Sequence, residues 1–340
     1  MRDARLARQV SSEVESLESR LLLSTATFSG PGVYPVRPFT KIITLADFNG
    51  DGKPDIAGAV SQGGGAVVTL LNNGNGTFSQ PFYFAAGIPR SIASADFNHD
   101  GKIDLAVAGG TESNTANVQI FFGNGDGTFV TPPTRYPLPG GGQAIMATDL
   151  NGDGFADLLI ATASRIAVLM NNGNGTFARP IFYNTGGDNP KDLAIADFNN
   201  DGVPDIAISG GRNQRVAILL GNKSAPGTFG PPIFLPASSN PQQLAVADFN
   251  HDGNEDLAVV SSQFQGSTVN VLLGNGNGTF RPPLRYTTQA NFSDAIVSGD
   301  FTGTRLGDLV VGSFTGNLKL FAGNGDGTFA PPQTIPDVIY

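Results

Sequence analysis

The sequence predicts an all-β protein, namely a six-bladed β-propeller of four-stranded antiparallel blades. Three observations support this prediction. An acidic motif recurs along the chain, a Thr-Phe pair recurs with the same period, and each period holds four short apolar runs. Four predicted strands in a repeat of about 50 residues are typical of a propeller blade. Six complete units fit between Phe28 and Phe329, and a seventh would require about fifty further residues, so we expect six blades rather than seven.

Within each unit the predicted strands follow a constant order. In the second unit, apolar runs at 91–95, 104–108 and 118–122 precede the Thr-Phe pair, and a Pro-containing run follows it. The runs are rich in Val, Ile, Leu and Phe and are bounded by turn residues, as strands are. Proline in the fourth run suits an outer edge strand, which needs fewer backbone donors. We expect the Phe of each Thr-Phe pair to pack between blades.

Both ends of the repeat region carry a segment that resembles a fourth strand, at 27–31 and 328–332. Either segment could form the outer strand of the closing blade. We therefore divide the chain into an N-terminal tail or targeting segment, residues 1–26, and a propeller, residues 27–340. Helix is expected only near the N-terminus.

The composition excludes several classes of protein. Gly (45) and Pro (23) together make up a fifth of the chain, and only 14% of residues are charged, which fits short strands joined by tight turns. The longest apolar runs are far shorter than a membrane-spanning helix, so we expect no transmembrane segment. The formal charge of −9 disfavours nucleic acid as a partner. The absence of cysteine excludes disulfides and thiolate metal sites. We expect a monomer.

The acidic motif reads Asp-x-Asn-x-Asp-Gly-x-x-Asp and occurs in five complete copies at intervals of 48 to 53 residues. Oxygen donors at positions 1, 3, 5 and 9, with Gly at the turn, suit Ca²⁺; Mg²⁺, which keeps its waters, fits less well. Position 7 varies, so a backbone carbonyl is the expected ligand there. Position 12 lacks Glu, so the motif is not an EF-hand. We expect about five Ca²⁺ ions, which would bring the net charge to about +1. The predicted ligands are Asp47, Asn49, Asp51, Asp55, Asp96, Asn98, Asp100, Asp104, Asp149, Asn151, Asp153, Asp157, Asp197, Asn199, Asp201, Asp205, Asp248, Asn250, Asp252 and Asp256.

These motifs resemble the FG-GAP/VCBS repeat family, the calcium-binding propeller repeats of integrin α-subunit heads and many bacterial surface proteins. The resemblance rests on residues 46–57 and their counterparts, and on Gly-Asn-Gly-Asp-Gly-Thr-Phe at 123–129 and 323–329. It implies a Ca²⁺ loop between the first and second strands of each blade. It does not imply a ligand, because the family serves adhesion, glycan binding and enzyme accessory roles.

A sixth, eroded copy of the motif begins at Asp300. Thr302, Thr304 and Asp308 fill positions 3, 5 and 9, and Arg305 replaces the Gly. One hypothesis is that the Arg305 guanidinium pairs with Asp300 or Asp308 in place of a metal. The other is an empty, decayed loop. Both hypotheses predict five bound ions.

The Asn-Gly and Asp-Gly pairs that precede each Thr-Phe also permit two interpretations. They could form a second metal site, but tight hairpin turns with positive φ are the favoured interpretation. The pairs lie at 75–76, 126–127, 174–175, 277–278 and 326–327.

In a four-stranded meander the metal loops and these turns lie at the same end, so we expect a protein or glycan partner at the opposite face. That face carries the irregular loops 61–65, 109–117, 210–215 and 261–267, and variable loops on a rigid scaffold commonly carry recognition. Its cations suit an acidic partner or are merely solvated. They are Arg90, Arg165, Lys191, Arg212 and Arg215.

Catalysis has little support in the sequence, and we expect a protein that is not an enzyme. His99 and His251 share position 4 of the motif with Gly and Asn in other copies. Asp188 and Asp192 form the closest carboxylate pair outside the loops, without a partner base. A Ca²⁺-dependent lectin-like module is the alternative, although the chain has no Trp for sugar stacking. A polysaccharide lyase is a weaker alternative.

Residues 14–24 resemble the LEPR-XLL segment at the N-termini of planctomycete extracellular proteins, although Ser19 stands where that pattern has Pro. Calcium loops are also commonly tuned to extracellular metal levels. We therefore expect an extracellular or cell-surface adhesion or protein-interaction module.

Overall fold

The chain forms six four-stranded antiparallel sheets, which confirms the predicted six-bladed propeller. The computed structural model describes residue 36 and residues 40–61, 64–110, 116–185, 189–210, 214–264, 266–313 and 318–335. Within these ranges there are 24 strands and no helix, so none of the described segments is a helix that could cross a membrane. The predicted tail at 1–26 and its expected helix lie outside the described residues.

Each blade contains four strands that are consecutive in the chain. Blade 1 contains β1 (Thr40–Ala46), β2 (Asp55–Val60), β3 (Ala66–Leu70) and β4 (Phe82–Ala85); blade 2 contains β5 (Ile88–Ala95), β6 (Asp104–Gly110), β7 (Ala116–Phe121) and β8 (Thr134–Pro137). Blade 3 contains β9 (Gly142–Thr148), β10 (Asp157–Thr162), β11 (Arg165–Leu169) and β12 (Ile181–Asn184); blade 4 contains β13 (Pro190–Ala196), β14 (Asp205–Gly210), β15 (Arg215–Leu219) and β16 (Ile233–Pro236). Blade 5 contains β17 (Pro241–Ala247), β18 (Asp256–Ser261), β19 (Thr268–Leu272) and β20 (Leu284–Thr287); blade 6 contains β21 (Ser293–Gly299), β22 (Asp308–Ser313), β23 (Leu318–Phe321) and β24 (Gln333–Ile335).

The order of strands fixes which loops share a face. In every blade the first strand pairs with the second, the second with the third and the third with the fourth. The acidic loop therefore joins the first and second strands, as the family resemblance implies, and its last Asp is the first residue of the second strand. Because the strands alternate in direction, the acidic loops and the third-to-fourth turns lie at one end. This end is called the metal-loop face below, and the other end the opposite face.

The hydrophobic core lies between successive blades. The second and third strands are almost wholly buried, as in β10, whereas the fourth strands are largely exposed at the edge. One core cluster joins Ala57 and Val67 of blade 1 to Ile92, Val107 and other residues of blade 2. Equivalent clusters join each later blade to the next. Stability is therefore distributed over nearest-neighbour interfaces, as in other repeat proteins.

The recurrent Thr-Phe pair is part of these interfaces, as predicted. In four of them its Phe ring packs edge to face on the Phe at position 2 of the preceding blade's acidic loop, with ring centroids 5.4 to 5.8 Å apart. In the remaining interface, Phe229 of blade 4 packs in the same cluster as Leu150 of blade 3. The pairs with two Phe rings are Phe48 with Phe129, Phe97 with Phe177, Phe198 with Phe280, and Phe249 with Phe329.

The junction between blade 6 and blade 1 differs from the other five. Among the described residues, no strand of blade 6 packs extensively against a strand of blade 1. Ile43 of β1 is 58% exposed, whereas the residues at its position in blades 2 to 6 are 4% to 7% exposed. Phe301, at position 2 of the sixth loop, is 50% exposed. The strand pairing assigns the C-terminal fourth-strand segment to blade 6, because β24 pairs with β23; the segment at 27–31 lies outside the described residues.

The junction provides a matched pair of substitutions. Phe249→Ala removes a ring that is 1% exposed and packs on Phe329, so we expect it to lower the free energy of unfolding by about 3–5 kcal/mol. Phe301→Ala removes the half-exposed ring at the same repeat position, so we expect a loss of less than about 1 kcal/mol. Urea denaturation of both variants measures the difference. Equal losses would show that Phe301 is buried in solution.

Candidate metal centre

The first carboxylate of each acidic loop accepts at least two backbone hydrogen bonds from the same loop. In the five complete copies, the N–H of position 5 donates to one oxygen at 3.1 to 3.2 Å, and the N–H of the Gly at position 6 donates to the other at 2.7 to 2.8 Å. These bonds wrap the loop around its first Asp. The repeated sequence therefore gives a repeated backbone conformation.

Positions 3 and 5 extend the same pattern by one step each. The side-chain oxygen of Asn at position 3 accepts the N–H of position 5, and the Asp at position 5 accepts the N–H of position 7, all at 2.8 to 3.1 Å. Such Asx turns are a common use of Asp and Asn in loops. In the first loop the Lys53 ammonium also lies 3.1 Å from the Asp51 carboxylate, and this hydrogen bond lowers the pKa of Asp51.

Position 9 has a different role, because its carboxylate joins the two hairpins of a blade. Asp157 accepts the N–H of Leu150, at position 2 of its own loop, at 3.0 Å, and the N–H of Asn171, beyond the third strand, at 2.7 Å. Equivalent bonds occur in all six blades. The position-9 side chains are fully buried. We call this arrangement the position-9 clasp.

Burial of the clasp carboxylates changes their titration. Desolvation, partly offset by the two backbone hydrogen bonds and reinforced by the neighbouring loop carboxylates, raises the pKa of Asp104, Asp157, Asp205 and Asp256 to about 6. A buried carboxylate with this environment favours its neutral form unless a cation compensates the charge. Binding of a proton or a cation near these carboxylates is therefore electrostatically favourable.

The backbone dihedral angle φ explains why positions 4 and 6 of the loop hold Gly or one of a few other residues. Position 6 is Gly with φ of 80° to 87° in the five complete copies, and position 4 also has positive φ in all six. Position 4 is occupied by Gly, Asn or His, with φ of 62° at His99 and 57° at His251. Position 4 looks variable from the sequence alone, because it holds Gly, Asn or His. It is in fact restricted to residues that accept the left-handed region, among which Asn and His are enriched after Gly.

The oxygen donors of each complete loop fit a hard cation, although the carboxylates do not form a preorganised site. Among the described residues, no three acidic, His or Cys side chains converge into a ready-made site. Each carboxylate oxygen has about two acceptor sites, and a backbone N–H uses one at most of them, so acceptor capacity remains. At Asp149 this capacity is on Oδ2, because Oδ1 accepts three backbone N–H groups. All side-chain donors are oxygens, which excludes a soft-metal preference. The twenty predicted ligands remain a prediction, with their loop positions now defined.

The sixth loop keeps the clasp but has no ion pair. Asp300 accepts the backbone N–H of Thr304 and of Arg305, and Asp308 accepts a hydrogen bond from the Thr302 hydroxyl at 2.9 Å. The Arg305 side chain is exposed, and the described residues show no salt bridge from it to either Asp. The hypothesis that Arg305 replaces the metal by pairing with these carboxylates is therefore wrong for this conformation. At Asp308 the hydroxyl of Thr302, rather than the Arg305 guanidinium, donates the additional hydrogen bond.

The Asn-Gly and Asp-Gly pairs are tight turns, as favoured from the sequence. The Gly residues at the five positions have φ of 77° to 84°. In each turn the preceding Asn or Asp accepts both the backbone N–H and the hydroxyl of the following Thr, as Asp126 does with Thr128 at 2.9 and 2.6 Å. The acceptor oxygen is thus used within the turn. These contacts account for the recurrent Thr in the Thr-Phe pair.

The groups considered for catalysis or recognition elsewhere mostly have structural contacts. Asp192 accepts the N–H of Leu244 from the next blade at 3.0 Å, and the His99 ring packs edge to face on Phe155. Arg165 and Arg215 lie 4.5 and 4.3 Å above the rings of Phe182 and Phe234. Arg90 and Lys191 are exposed on the opposite face, while Asp188 and Arg212 lie outside the described residues.

The opposite face also carries an exposed aromatic pair that the sequence analysis did not identify. Phe264 and Phe292 are 70% and 42% exposed, and their ring centroids lie 5.6 Å apart. A comparison of repeats could have found Phe292, because it precedes a first strand at a position that other blades fill with Gly or Asn.

Fold and loops together define a propeller whose blades each carry an acidic loop between the first two strands. The FG-GAP-like repeat pattern matches residues 47–107, 96–160, 149–208 and 197–259, which together span more than half of the chain. The chain belongs to the FG-GAP-like repeat family. Among curated proteins, none matches it significantly.

Several solved structures share the fold at low sequence identity. A lectin from Agrocybe aegerita that recognises non-reducing terminal N-acetylglucosamine has a TM-score of 0.58 and 21% identity, covering 87% of this chain and 80% of its own. A protein from Lactobacillus plantarum has a TM-score of 0.63 and 16% identity, with coverages of 89% and 86%. The periplasmic gluconolactonase of Pseudomonas aeruginosa has a TM-score of 0.61 and 14% identity, with coverages of 87% and 85%. At these identities the likeness concerns the fold alone.

Two substitutions in one loop separate the clasp from the predicted cation cage. In metal-stripped protein, Asp157→Ala leaves two buried N–H groups without acceptors, so we expect a loss of about 2–4 kcal/mol in the free energy of unfolding. Asp153→Ala removes an exposed acceptor, so we expect a loss below about 1 kcal/mol. Urea denaturation in a chelator measures both. Equal losses would contradict the clasp.

The raised pKa values also predict how calcium and pH interact. Between pH 4 and 6 the folded state binds more protons than the unfolded state at Asp104, Asp157, Asp205 and Asp256. The contribution of these groups to the free energy of unfolding therefore falls as pH rises through this window. A bound cation would offset the loss above pH 6. We expect calcium to raise the melting temperature more at pH 7.5 than at pH 5; a calcium effect that is equal at both pH values would contradict this account.

Proposed function

We propose that the chain is a calcium-stabilised, non-catalytic binding module that acts in adhesion or protein interaction outside the cell or at its surface. The observation that carries the proposal is the repetition of one loop conformation, with one all-oxygen donor set, in five blades. A structural turn alone would not require three carboxylates in each copy, since their mutual repulsion costs stability.

In this proposal the side chains at positions 1, 3, 5 and 9 of the five complete loops hold about five Ca²⁺ ions, the number of complete motifs. Calcium supplies charge compensation there rather than chemistry on a substrate. It would link the loop to the buried carboxylate of the position-9 clasp and so connect the two hairpins of a blade. The sixth loop would remain without metal, because it retains two carboxylates and the Oδ2 oxygen of Asp308 already accepts two backbone N–H groups and the Thr302 hydroxyl.

A binding role is favoured over catalysis by the contacts of the candidate catalytic groups. Asp192 serves a contact between blades, and His99 packs on a neighbouring ring. The gluconolactonase likeness gives no reason to prefer an enzyme, because a lectin is similar to the same degree and fold likeness does not carry function. The partner is expected on the opposite face, where the loops vary between blades.

Glycan binding is the second candidate, and the specific observation in its favour is the exposed ring pair of Phe264 and Phe292.

The extracellular location rests on the LEPR-XLL resemblance at residues 14–24 and on the calcium loops. Fractionation of cells that express the full chain tests the location, and the proposal expects the protein in the medium or surface fraction.

Calcium titration tests the cofactor. Because the ion should bind the folded state alone, each site adds about 2.7 kcal/mol of stability at a hundredfold excess of calcium over its dissociation constant. We expect a chelator to lower the melting temperature markedly and calorimetry to give a stoichiometry of about five, as the motif count predicts. A melting temperature that does not respond to the chelator would refute the calcium proposal. A stoichiometry of six would show that the Asp300 loop binds as well.

The role itself is tested by offering the calcium-loaded protein an array of glycans and extracellular proteins. A binding module retains its ligand unchanged, so mass spectrometry of the bound ligand should show no new product. Release of a cleaved or unsaturated product would identify an enzyme instead and overturn the non-catalytic assignment.

A further inference from the structure

The exposed pair Phe264 and Phe292 lies on the opposite face, at the junction of blades 5 and 6. Phe264 belongs to the loop between β18 and β19, and Phe292 to the connection between β20 and β21. Their rings meet edge to face at an interplanar angle of 69° while remaining 70% and 42% exposed. Two aromatic rings that pack on each other and still face solvent form a platform rather than part of the core.

Phe292 is held in a backbone conformation that other blades reserve for small or amide residues. It directly precedes the first strand of blade 6 with φ of 52°. The corresponding residues before β5, β9, β13 and β17 are Gly87, Gly141, Asn189 and Asn240, with φ of 58° to 68°. A bulky side chain is strained in this region, and strain of this kind clusters at functional sites. Blade 6 thus displays a ring where four other blades avoid one.

The two segments that carry the rings are fixed to each other. The N–H of Phe292 donates to the Gln263 carbonyl at 3.1 Å, and the N–H of Ser267 donates to the Ala290 carbonyl at 2.9 Å. The N–H of Ser293 donates to the Ser267 hydroxyl at 2.9 Å, and this hydroxyl is buried. Backbone hydrogen bonds therefore fix the two segments that carry the rings. Little conformational entropy of these segments would be lost when a ligand binds.

The loops around the pair are polar, and the charged residue nearest to Phe292 in the chain is the exposed Asp294 on β21. The described residues of 261–267 and of 287–293 are Ser, Thr, Gln, Asn, Ala, Gly and the two Phe, and the neighbouring connection 237–243 also lacks charge. In these described segments no other large apolar side chain is exposed. A protein interface needs a larger desolvated core than two rings provide. A sugar ring has apolar C–H faces and hydroxyls at its edge. Aromatic faces bordered by amide and hydroxyl groups, as at Phe264 and Phe292, match both features.

We propose that Phe264 and Phe292 form a binding site for an uncharged pyranose ring of a glycan. The rings contact its apolar face, and the surrounding amide and hydroxyl groups border its hydroxyls. This inference rests on the proposed role of the chain as a binding module with its partner on the opposite face, and it adds the ligand class and the site. The proposed site does not involve the Arg and Lys side chains of the opposite face.

The test uses the full, calcium-loaded chain on an array of neutral, sialylated and uronic-acid glycans, followed by calorimetry with the best neutral oligosaccharide. Phe264→Ala and Phe292→Asn should each weaken binding at least about tenfold. Phe292→Asn restores a residue that fits positive φ, so it should also raise the melting temperature. Phe82→Ala, which removes a ring that is 47% exposed on blade 1, is the matched control and should leave the affinity unchanged.

Several results would overturn the site. They are binding confined to acidic glycans or to proteins, neutral-glycan binding that both variants retain, the absence of any neutral-glycan binding, and a melting temperature lowered by Phe292→Asn, which would make Phe292 a packing residue. Each of these leaves the calcium titration intact, so failure of this site is distinguishable from failure of the proposed calcium-stabilised module.

Discussion

The position-9 clasp is the interaction on which each blade depends. One buried carboxylate accepts a backbone N–H from its own acidic loop and another from beyond the third strand, so it joins the two hairpins of the blade at the metal-loop face. The clasp is present at Asp308 although positions 3, 5 and 6 of that motif have changed. This persistence shows that the motif combines two requirements. Positions 1 and 9 keep their backbone hydrogen bonds in all six blades, whereas the Asn at position 3, the Asp at position 5 and the Gly at position 6 occur together only in the five complete loops.

The clasp also gives a physical reason for the proposed stabilisation by calcium. A buried carboxylate with two N–H donors is well satisfied in hydrogen bonding but not in charge, because the nearest charged groups are further carboxylates of the same loop. Neutralisation by a proton or by a cation is the physical alternative. The formal charge of −9 is therefore best regarded as a property of the loops rather than of the surface as a whole. If the five complete loops bind calcium as proposed, metal affinity and blade stability are coupled through the position-9 carboxylate of each of these five blades.

Much of the fold could be predicted from the sequence because it depends on features that recur. The blade period, the loop between the first two strands, the Thr-Phe turns and the packing of Phe129 and its counterparts each follow from a pattern repeated at least four times. The features that could not be predicted are departures from the repeat. Exposure of Ile43 and Phe301 depends on which blades meet. The display of Phe264 and Phe292 depends on two loops that meet across a junction, and the direction of the exposed Arg305 side chain is not encoded in the motif. Sequence periodicity identifies the average blade, while tertiary contacts determine the exceptions.

The exceptions concentrate in blade 6, and this has a physical reason. In a nearest-neighbour repeat, a blade with a well-packed interface on each side tolerates little change, because alteration costs energy at both interfaces. Among the described residues, blade 6 packs extensively on blade 5 alone. Its acidic motif has lost two ligands, its position-2 Phe is half exposed, and its entry carries a strained Phe292. A blade with fewer packing constraints can accommodate residues that the others exclude. The well-packed blades supply the scaffold, and blade 6, which carries Phe292, is the blade in which the repeat departs furthest from its pattern.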